Sequence, residues 1–373
     1  MRCVKLCSNR KHLGFEIILN QNVFVRAQST PQNPPVFAQT VAALSTTIAV
    51  EAQKHPGRGC SSGGLDRAPQ RVLERRDWLS TFEDFPAAAL TTFRFAVADV
   101  RQLAIELGPF LRMPRPGKST YRAPVVDEAN RVAALLAQSA NPHIRLDVLA
   151  MNLGICGGAA SKMLQWDRVN VVRALRSELP AIVHPEILLE ILAPLGSMPN
   201  ARVLVDTTDT KIQDLIGSFN VHHMLPSVKT LVFVDRDARL LGVETGWGGA
   251  ESDISIFHQS HFYQQIAPNL RIGQRLFVGD GAFRDMYTFF PLSDKIDLKH
   301  ATGEEAAAFS LYNRQLQLHR ARVEHAIGQA KHHWGAIKEV PGIYHMELDD
   351  IGAMIFLSWL FEARWQRLNI ESD

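Results

Sequence analysis

Three acidic residues lie where a folded chain could bring their carboxylates together. Asp206 and Asp280 each follow a short apolar run that predicts a strand, and Glu324 lies in a predicted helix over 304–334. A carboxylate at the carboxyl end of a strand is the usual place for ligand chemistry in a layered α/β fold. The alternative for each aspartate taken alone is a turn-forming side chain, which is common.

Taken together, the three acids favour a site for Mg²⁺ or Mn²⁺, because both ions prefer hard oxygen ligands. Two such ions, about 4 Å apart, hold the attacking and leaving oxygens of an in-line displacement at phosphorus. Carboxylates alone would repel a nucleic acid. Three basic residues near Glu324 could attract the phosphate backbone of a nucleic acid around the rim of the site: Arg320, Arg322 and Lys331.

The predicted helix carries polar residues on the face of Glu324. At roughly 100° per residue, Asn313, Arg320 and Lys331 all lie within about 40° of Glu324. Apolar residues flank this stripe and predict a half-buried helix: Val323, Ile327 and Ala330. The alternative for Glu324 is a simple intrahelical ion pair with its basic neighbours.

Composition sets limits but does not choose a function. The chain has 373 residues with 40 Lys and Arg against 38 Asp and Glu, a formal net charge of +2, so nucleic-acid binding has to be argued from local patches. The 46% hydrophobic and 21% charged content excludes collagen-like, coiled-coil and wholly disordered classes. The apolar run over 351–361 is too short to cross a bilayer, so we expect no membrane span.

The N-terminal 75 residues predict a disordered tail, because they are rich in Gln, Ser, Pro and Gly. Five basic residues against one acid in the first 50 leave mitochondrial targeting as an alternative. Four cysteines fall in the first 160 residues without the paired spacing of a zinc site. A P-loop, a Rossmann fingerprint and a GxSxG elbow are all missing from the sequence.

A helical region is predicted over 76–198. Within it, helices over 146–153 and 159–166 are separated by a turn at Gly157 and Gly158, a pattern typical of a helix-turn-helix motif. The second helix could enter a DNA groove, with Lys162 as its basic residue, although plain helical packing explains the pattern almost as well.

Residues 199–369 predict strands followed by helices around a mixed sheet. Two strand-like runs flank a turn at 235–238, most simply a hairpin, and a short strand ends at Gly279. One helix is expected over 252–267 and a final apolar helix over 349–367.

These residues resemble the DDE endonuclease domain of PIF/Harbinger-type transposases and related domesticated proteins, over about 90–365. The motifs are VLVDTTDT with Asp206, GGAESDISIF with Asp253, FVGDGAF with Asp280, and Asn, Arg, Glu and Lys spaced N-x6-R-x3-E-x6-K around Glu324. The first motif departs from the family pattern, because Thr207 follows Asp206 where Gly or Cys is usual.

The resemblance implies an RNase H-like fold in which Asp206, Asp280 and Glu324 hold the divalent metal ions. It also implies that Asp253 is an additional acid outside the metal ligands, and that three basic residues lie near DNA: Lys229, Arg320 and Lys331. The expected function is a metal-dependent DNA endonuclease or transposase-like enzyme in the nucleus, working as an oligomer or with a separate DNA-binding protein. The alternative is a domesticated, catalytically silent factor that binds DNA or protein.

Overall fold

The structure is a computed structural model. It describes residues 77–112, 126–179, 185–196, 198, 200–212, 219–220, 225–271, 274–283, 288–290, 301–342 and 348–371, with two short strands nearer the N-terminus, β1 (Glu16–Leu19) and β2 (Val23–Arg26). The rest of the predicted tail and most of the predicted loop over 112–124 lie outside the described residues. None of the described helices has the length and apolar character needed to cross a membrane.

The first part of the chain is helical, as predicted. Its α-helices are α1 (Pro86–Phe93), α2 (Val97–Leu111), α3 (Glu128–Ala140), α4 (Leu146–Asn152), α5 (Gly157–Ala174) and α6 (Pro185–Ile191). The helix α1 ends at Phe93, because Arg94 adopts a left-handed conformation with φ of 63°. Asp127 caps α3 by accepting a hydrogen bond from the Asn130 backbone N–H.

Three long strands form the middle of a mixed sheet. They are β3 (Val203–Ile212), β5 (Leu225–Val234) and β6 (Leu240–Gly248), and they pair antiparallel in the order β6-β5-β3. Two short strands, β7 (Phe277–Val278) and β8 (Glu339–Val340), run parallel to β3. The strand β4 (Phe219–Asn220) pairs with β5, and β2 extends the sheet beside β6.

Helices cover the sheet and complete the described fold. They are α7 (Asp253–Gln259), α8 (His261–Ile266), α9 (Gly303–His333), α10 (Gly335–Lys338) and α11 (Leu348–Glu371). The predicted single helix over 252–267 is wrong. The chain turns at Ser260, whose side chain accepts from the Tyr263 N–H and starts a new helix.

Alternate residues of β3 enter two different apolar clusters. Leu204 packs with side chains of α9 and α11 and of the helical region, whereas Val203 and Val205 pack in a second cluster with Phe257 and Phe277. Because neighbouring side chains of a strand point to opposite faces, the sheet has a core on both sides. The mixed sheet with flanking helices confirms the predicted α/β class and is consistent with an RNase H-like fold.

Candidate active site

Two parallel neighbouring strands position Asp206 and Asp280. The register of β3 and β7 pairs Leu204 with Val278, so each aspartate comes two residues after that pair. Asp206 continues in β3, and Asp280 begins the turn in which its Oδ1 accepts from the Ala282 N–H at 2.7 Å. Asp206 and Asp280 therefore lie at equivalent positions just beyond the paired segment of β3 and β7.

Gly279 makes the turn before Asp280 possible. A Cβ atom at Gly279 would lie 2.8 Å from the Phe283 ring and 2.9 Å from the Phe289 ring. The two rings stack on each other with centroids 5.3 Å apart, so neither has room to withdraw. The close packing of these rings fixes the backbone that presents Asp280.

Glu324 lies on the exposed side of α9, where the sequence predicted it. Arg320 donates from Nη2 to Glu324 Oε1 at 3.2 Å, one helical turn away, and the Glu324 side chain is 56% exposed. Val323, Ile327 and Ala330 are buried, as predicted for the flanks of the polar stripe. The ion pair that the sequence left open as an alternative is therefore present.

The electrostatics of Asp206 connect the three acids. The pKa of Asp206 is raised to about 7, mainly by burial and to a smaller extent by the charges of Asp280 and Glu324. The hydrogen bond that Asp206 Oδ1 accepts from the Thr207 N–H at 2.8 Å lowers the pKa, as does the charge of Arg320. Asp206 therefore interacts electrostatically with both other carboxylates, which places three acidic side chains around one buried position.

The donor chemistry of this group fits a hard divalent cation, since all three side chains offer carboxylate oxygens and their mutual repulsion favours a cation. As the side chains lie, however, no three Asp, Glu, His or Cys residues of the described chain form a group that could hold a metal ion. Glu324 is engaged by Arg320 instead. Metal binding would therefore require the exposed Glu324 side chain to turn from Arg320 towards Asp206.

Lys331 lies on the same polar stripe of α9 as Glu324, about two helical turns further along the chain. Its Nζ donates to the backbone carbonyl of Asp209 at 3.1 Å, and burial is the largest cause of a lowered pKa. The charges of Asp209 and Asp206 oppose that shift, so Lys331 stands within electrostatic reach of the acid group. Its predicted contact with DNA stays a prediction, because the observed hydrogen bond lies within the protein.

Lys229 and Asp253 bind each other. Lys229 Nζ donates to Asp253 Oδ1 and to the Glu251 carbonyl, each at 2.8 Å, and only 12% of the lysine side chain is exposed. The register of β5 and β6 shifts next to Lys229, and such a bulge can re-aim a side chain. The pair connects β5 to the first residue of α7, which gives Asp253 a structural contact outside the acid group.

Helices α4 and α5 occur in the region where the sequence predicted two helices, but the predicted turn at Gly157 and Gly158 is wrong. Both glycines begin α5, and the chain turns before them, where Gly154 has a φ of 65°. Lys162 is exposed on α5, whereas Gln165 donates to Asp350 Oδ2 at 3.0 Å and Arg168 is buried beside Gln138. Part of this helix is thus used to pack against α11. A role of Lys162 in DNA binding remains a prediction.

Sequence reasoning did not assign roles to Asp209 or Lys211, which follow Asp206 in β3. Both lie beside Lys331 in the structure, through a hydrogen bond and through charge respectively. The acid at Asp209 was visible as the second aspartate of VLVDTTDT, but its partner is 122 positions away along the chain. A contact at that separation leaves no local signal in a single sequence.

No curated protein and no solved structure matches the chain. One family model does match part of it, over residues 205–357, and its description is DDE superfamily endonuclease. That stretch contains Asp206, Asp280 and Glu324, together with β5, β6 and the whole of α9. Residues 205–357 are therefore similar to DDE superfamily endonucleases, a match that supports a nuclease or transposase-like function.

Proposed function

We propose that this protein is a metal-dependent DNA endonuclease of the transposase-like kind, with Asp206, Asp280 and Glu324 as its metal ligands. The observation that carries the proposal is the electrostatic grouping of these three acids within the matched stretch 205–357. When bound, two Mg²⁺ or Mn²⁺ ions would supply an activated oxygen nucleophile and neutralise charge on the phosphate.

The protein side chains would prepare the site for those ions. Asp206 and Asp280 are held by backbone hydrogen bonds at matching strand positions, so their carboxylates need little rearrangement. Glu324 is the adjustable member, because its exposed side chain is held only by an exposed ion pair worth less than about 1 kcal/mol. Arg320, once released, would be placed to contact a DNA phosphate near the acids.

The proposal is tested with the full chain, Mn²⁺ and end-labelled duplex DNA. We expect the wild type to nick or cut the DNA and Glu324→Gln to remove cutting with a nearly unchanged melting temperature. Glu304→Gln is the matched control, because Glu304 is an exposed acid in the first turn of the same helix. Equal cutting by the wild type and Glu324→Gln would contradict the assignment of Glu324.

The second candidate is a catalytically silent DNA- or protein-binding factor that has kept the fold. It is favoured by one observation, the engagement of Glu324 by Arg320 without a ready-made metal group among the described residues. Under this alternative, DNA binding would be indifferent to divalent ions and no variant or metal would produce nicking.

The finer assignments follow from the sequence, through the family resemblance and, for Lys162, through the predicted helix-turn-helix pattern. They place the protein near PIF/Harbinger-type transposases, in the nucleus, acting on DNA as an oligomer or with a separate DNA-binding partner. Lys229, Lys162, Arg320 and Lys331 are the proposed DNA-contacting residues. Of these, Lys162 is exposed and Arg320 is partly exposed, so they need the least rearrangement to reach DNA.

A further inference from the structure

A cleft of about 670 Å³ opens where the helical region meets the sheet and α9. One wall is the turn 140–143, which follows α3, and the other is formed by the end of α9, by α10 and by the strand β3. A cleft of this size has room for a unit of a polymeric ligand. Its charged and titratable lining consists of Lys211, Lys331, Lys338, His143, His332, Asp209 and Glu339.

The cationic side chains of the cleft are Lys211, Lys331 and Lys338. The charges of Lys211 and Lys338 both act on Lys331 and, after burial, contribute to its lowered pKa. Both side chains are exposed, and within the described chain the structure gives neither ammonium group a hydrogen bond or an ion pair. Three lysines that repel one another around one cleft favour an anionic ligand.

The two acids of the lining offset this field only in part, because three lysines stand against Asp209 and Glu339 and leave one positive charge in excess. Ser227 Oγ donates to Asp209 Oδ1 at 2.6 Å and Lys331 donates to the Asp209 carbonyl. Glu339 is the strand neighbour of Lys211 in the register of β3 and β8, and within the described chain the structure shows no ion pair between their side chains.

Gly328 removes a side chain from the floor of the cleft. It lies inside α9 between Glu324 and Lys331, and a Cβ atom there would meet nothing within 4 Å. Packing within the described chain therefore gives no reason for a glycine, which is a poor helix residue. Close approach of a ligand backbone is a position where a glycine is useful.

Gly335, the first residue of α10, packs against the turn 140–143 on the other side of the cleft. A Cβ atom at this position would lie 2.6 Å from Pro142 Cδ and 2.8 Å from the Ala140 carbonyl oxygen. The turn 140–143 therefore packs directly on the start of α10. This contact holds the turn 140–143 beside α10 at the border of the cleft.

We propose that this cleft binds the sugar-phosphate backbone of DNA, with Lys211 and Lys338 contacting phosphates and Gly328 admitting the strand against α9. The inference rests on the proposed function, because it names where the substrate strand runs as it leads to the acid group. Lys331 joins the two places, since it lines the cleft and lies within electrostatic reach of Asp206. A strand bound here would run along α9 from Lys331 past Gly328 towards Glu324.

The test measures DNA binding without catalysis, by fluorescence anisotropy of a labelled duplex in EDTA across a series of salt concentrations. Lys211→Gln/Lys338→Gln should weaken binding of unrelated sequences alike and should reduce the salt slope by about 1.8, at about 0.9 per phosphate contact. The control is Arg236→Gln/Arg271→Gln, which removes two exposed positive charges whose side chains pair with acids elsewhere on the surface. An equal loss in both double variants would overturn the proposal, because it would reflect net charge alone.

A steric variant gives a second and independent measurement. Gly328→Gln places a neutral side chain on the floor of the cleft and should weaken DNA binding at least several-fold, while the melting temperature stays at or above that of the wild type. Wild-type affinity in Gly328→Gln would overturn the proposed path of the strand.

The binding and cutting experiments can fail separately. DNA binding that depends on Lys211 and Lys338, without any cutting in Mn²⁺, would contradict the endonuclease but support the cleft. Cutting by the wild type with unchanged binding in the lysine variant would do the reverse. Lysine-directed labelling followed by mass spectrometry adds a local readout, in which DNA should protect Lys211 and Lys338 from the label.

Discussion

Asp206 and Asp280 stand at matching positions on parallel strands, each two residues beyond the registered pair Leu204 and Val278. Their charges therefore meet where the chain leaves β7 beside the middle of β3, and the charge of Asp280 adds to the burial that raises the pKa of Asp206 to about 7. The metal-free fold consequently carries an electrostatic cost at neutral pH. Two predictions depend on this relationship.

The first prediction concerns Asp206→Asn in EDTA. The folded pKa of about 7 exceeds the ordinary value of 3.8, so between these pH values the folded state keeps a proton that the unfolded state has released. Stability from Asp206 is complete below pH 3.8 and is lost as the pH rises through 7. An asparagine cannot ionise, and its Oδ1 can still accept from Thr207. At pH 8, we expect the variant to unfold with a free energy on the order of 2 to 4 kcal/mol above that of the wild type.

Urea denaturation of both proteins at pH 5 and pH 8 checks this prediction. Groups distant from Asp206 contribute equally in the two proteins, so the change in their difference with pH reports on Asp206 and the acids coupled to it. Parallel behaviour of the two proteins between pH 5 and pH 8 would show that Asp206 has an ordinary pKa and that the acids are not coupled.

The second prediction concerns divalent ions. A cation that binds the folded state alone stabilises it by RT ln(1 + [L]/Kd), which is about 2.7 kcal/mol at a hundred times Kd. Mn²⁺ should raise the melting temperature of the wild type, and EDTA should reverse the rise. Asp206→Asn and Asp280→Asn should lose the response. NaCl at the same ionic strength is the control, and an equal rise with NaCl would mean that the effect is general screening.

The sequence predicted the elements of the site better than their connections. The polar stripe of α9 follows directly from helical geometry, so its exposed Glu324 and buried Val323 could be assigned from spacing alone. The single helix over 252–267 was wrong because the hydroxyl of Ser260 competes with the helical backbone and caps the next helix. The spacing of apolar residues carries no information about such capping by a side chain.

Partners far apart in the chain were beyond reach for a different reason. Lys229 was expected near DNA, but the turn that brings Asp253 to its ammonium group depends on how β5, β6 and α7 fold together. The hydrogen bond from Lys331 to Asp209 likewise joins a helix to a strand 122 positions earlier. Without a second sequence to compare, such contacts are set by tertiary packing alone.

The third prediction tests the core of the helical region. Arg131 of α3 and Asp167 of α5 form a bidentate ion pair with both side chains buried, 2% and 0% exposed. Asp167→Ala would leave the Arg131 charge buried without its partner, so we expect a loss of roughly 3 to 5 kcal/mol in the free energy of unfolding.

Replacement of both residues gives the control for that loss. Arg131→Met/Asp167→Leu removes both charges while it keeps apolar volume in the core, and it should recover most of the lost stability. Urea denaturation measures all three proteins. A double variant as unstable as Asp167→Ala would mean that shape, and not the unpaired charge, causes the loss.

The fourth prediction tests how the helical region attaches to α10. Gly335→Ala would press a methyl group against Pro142 and against the Ala140 carbonyl, and a backbone atom cannot turn away as a side chain can. We expect a loss of about 1 to 3 kcal/mol. Gly158→Ala is the control, because a Cβ atom there meets nothing within 4 Å. Equal stability of the two variants would contradict the close packing of the turn 140–143.

The last prediction separates stability from binding at Gly328. This glycine lies in the interior of α9 with open space around its missing Cβ atom, so alanine costs no steric clash and restricts the unfolded chain. Gly328→Ala should therefore stabilise the protein by about 0.5 to 1 kcal/mol in urea denaturation. If Gly328→Ala also weakens DNA binding, then the presence of Gly328, which lowers the stability of the free protein, is explained by the space that it leaves for a DNA strand. A destabilised Gly328→Ala would instead show that the glycine serves the fold, and the argument for a strand along this face of α9 would lose its basis.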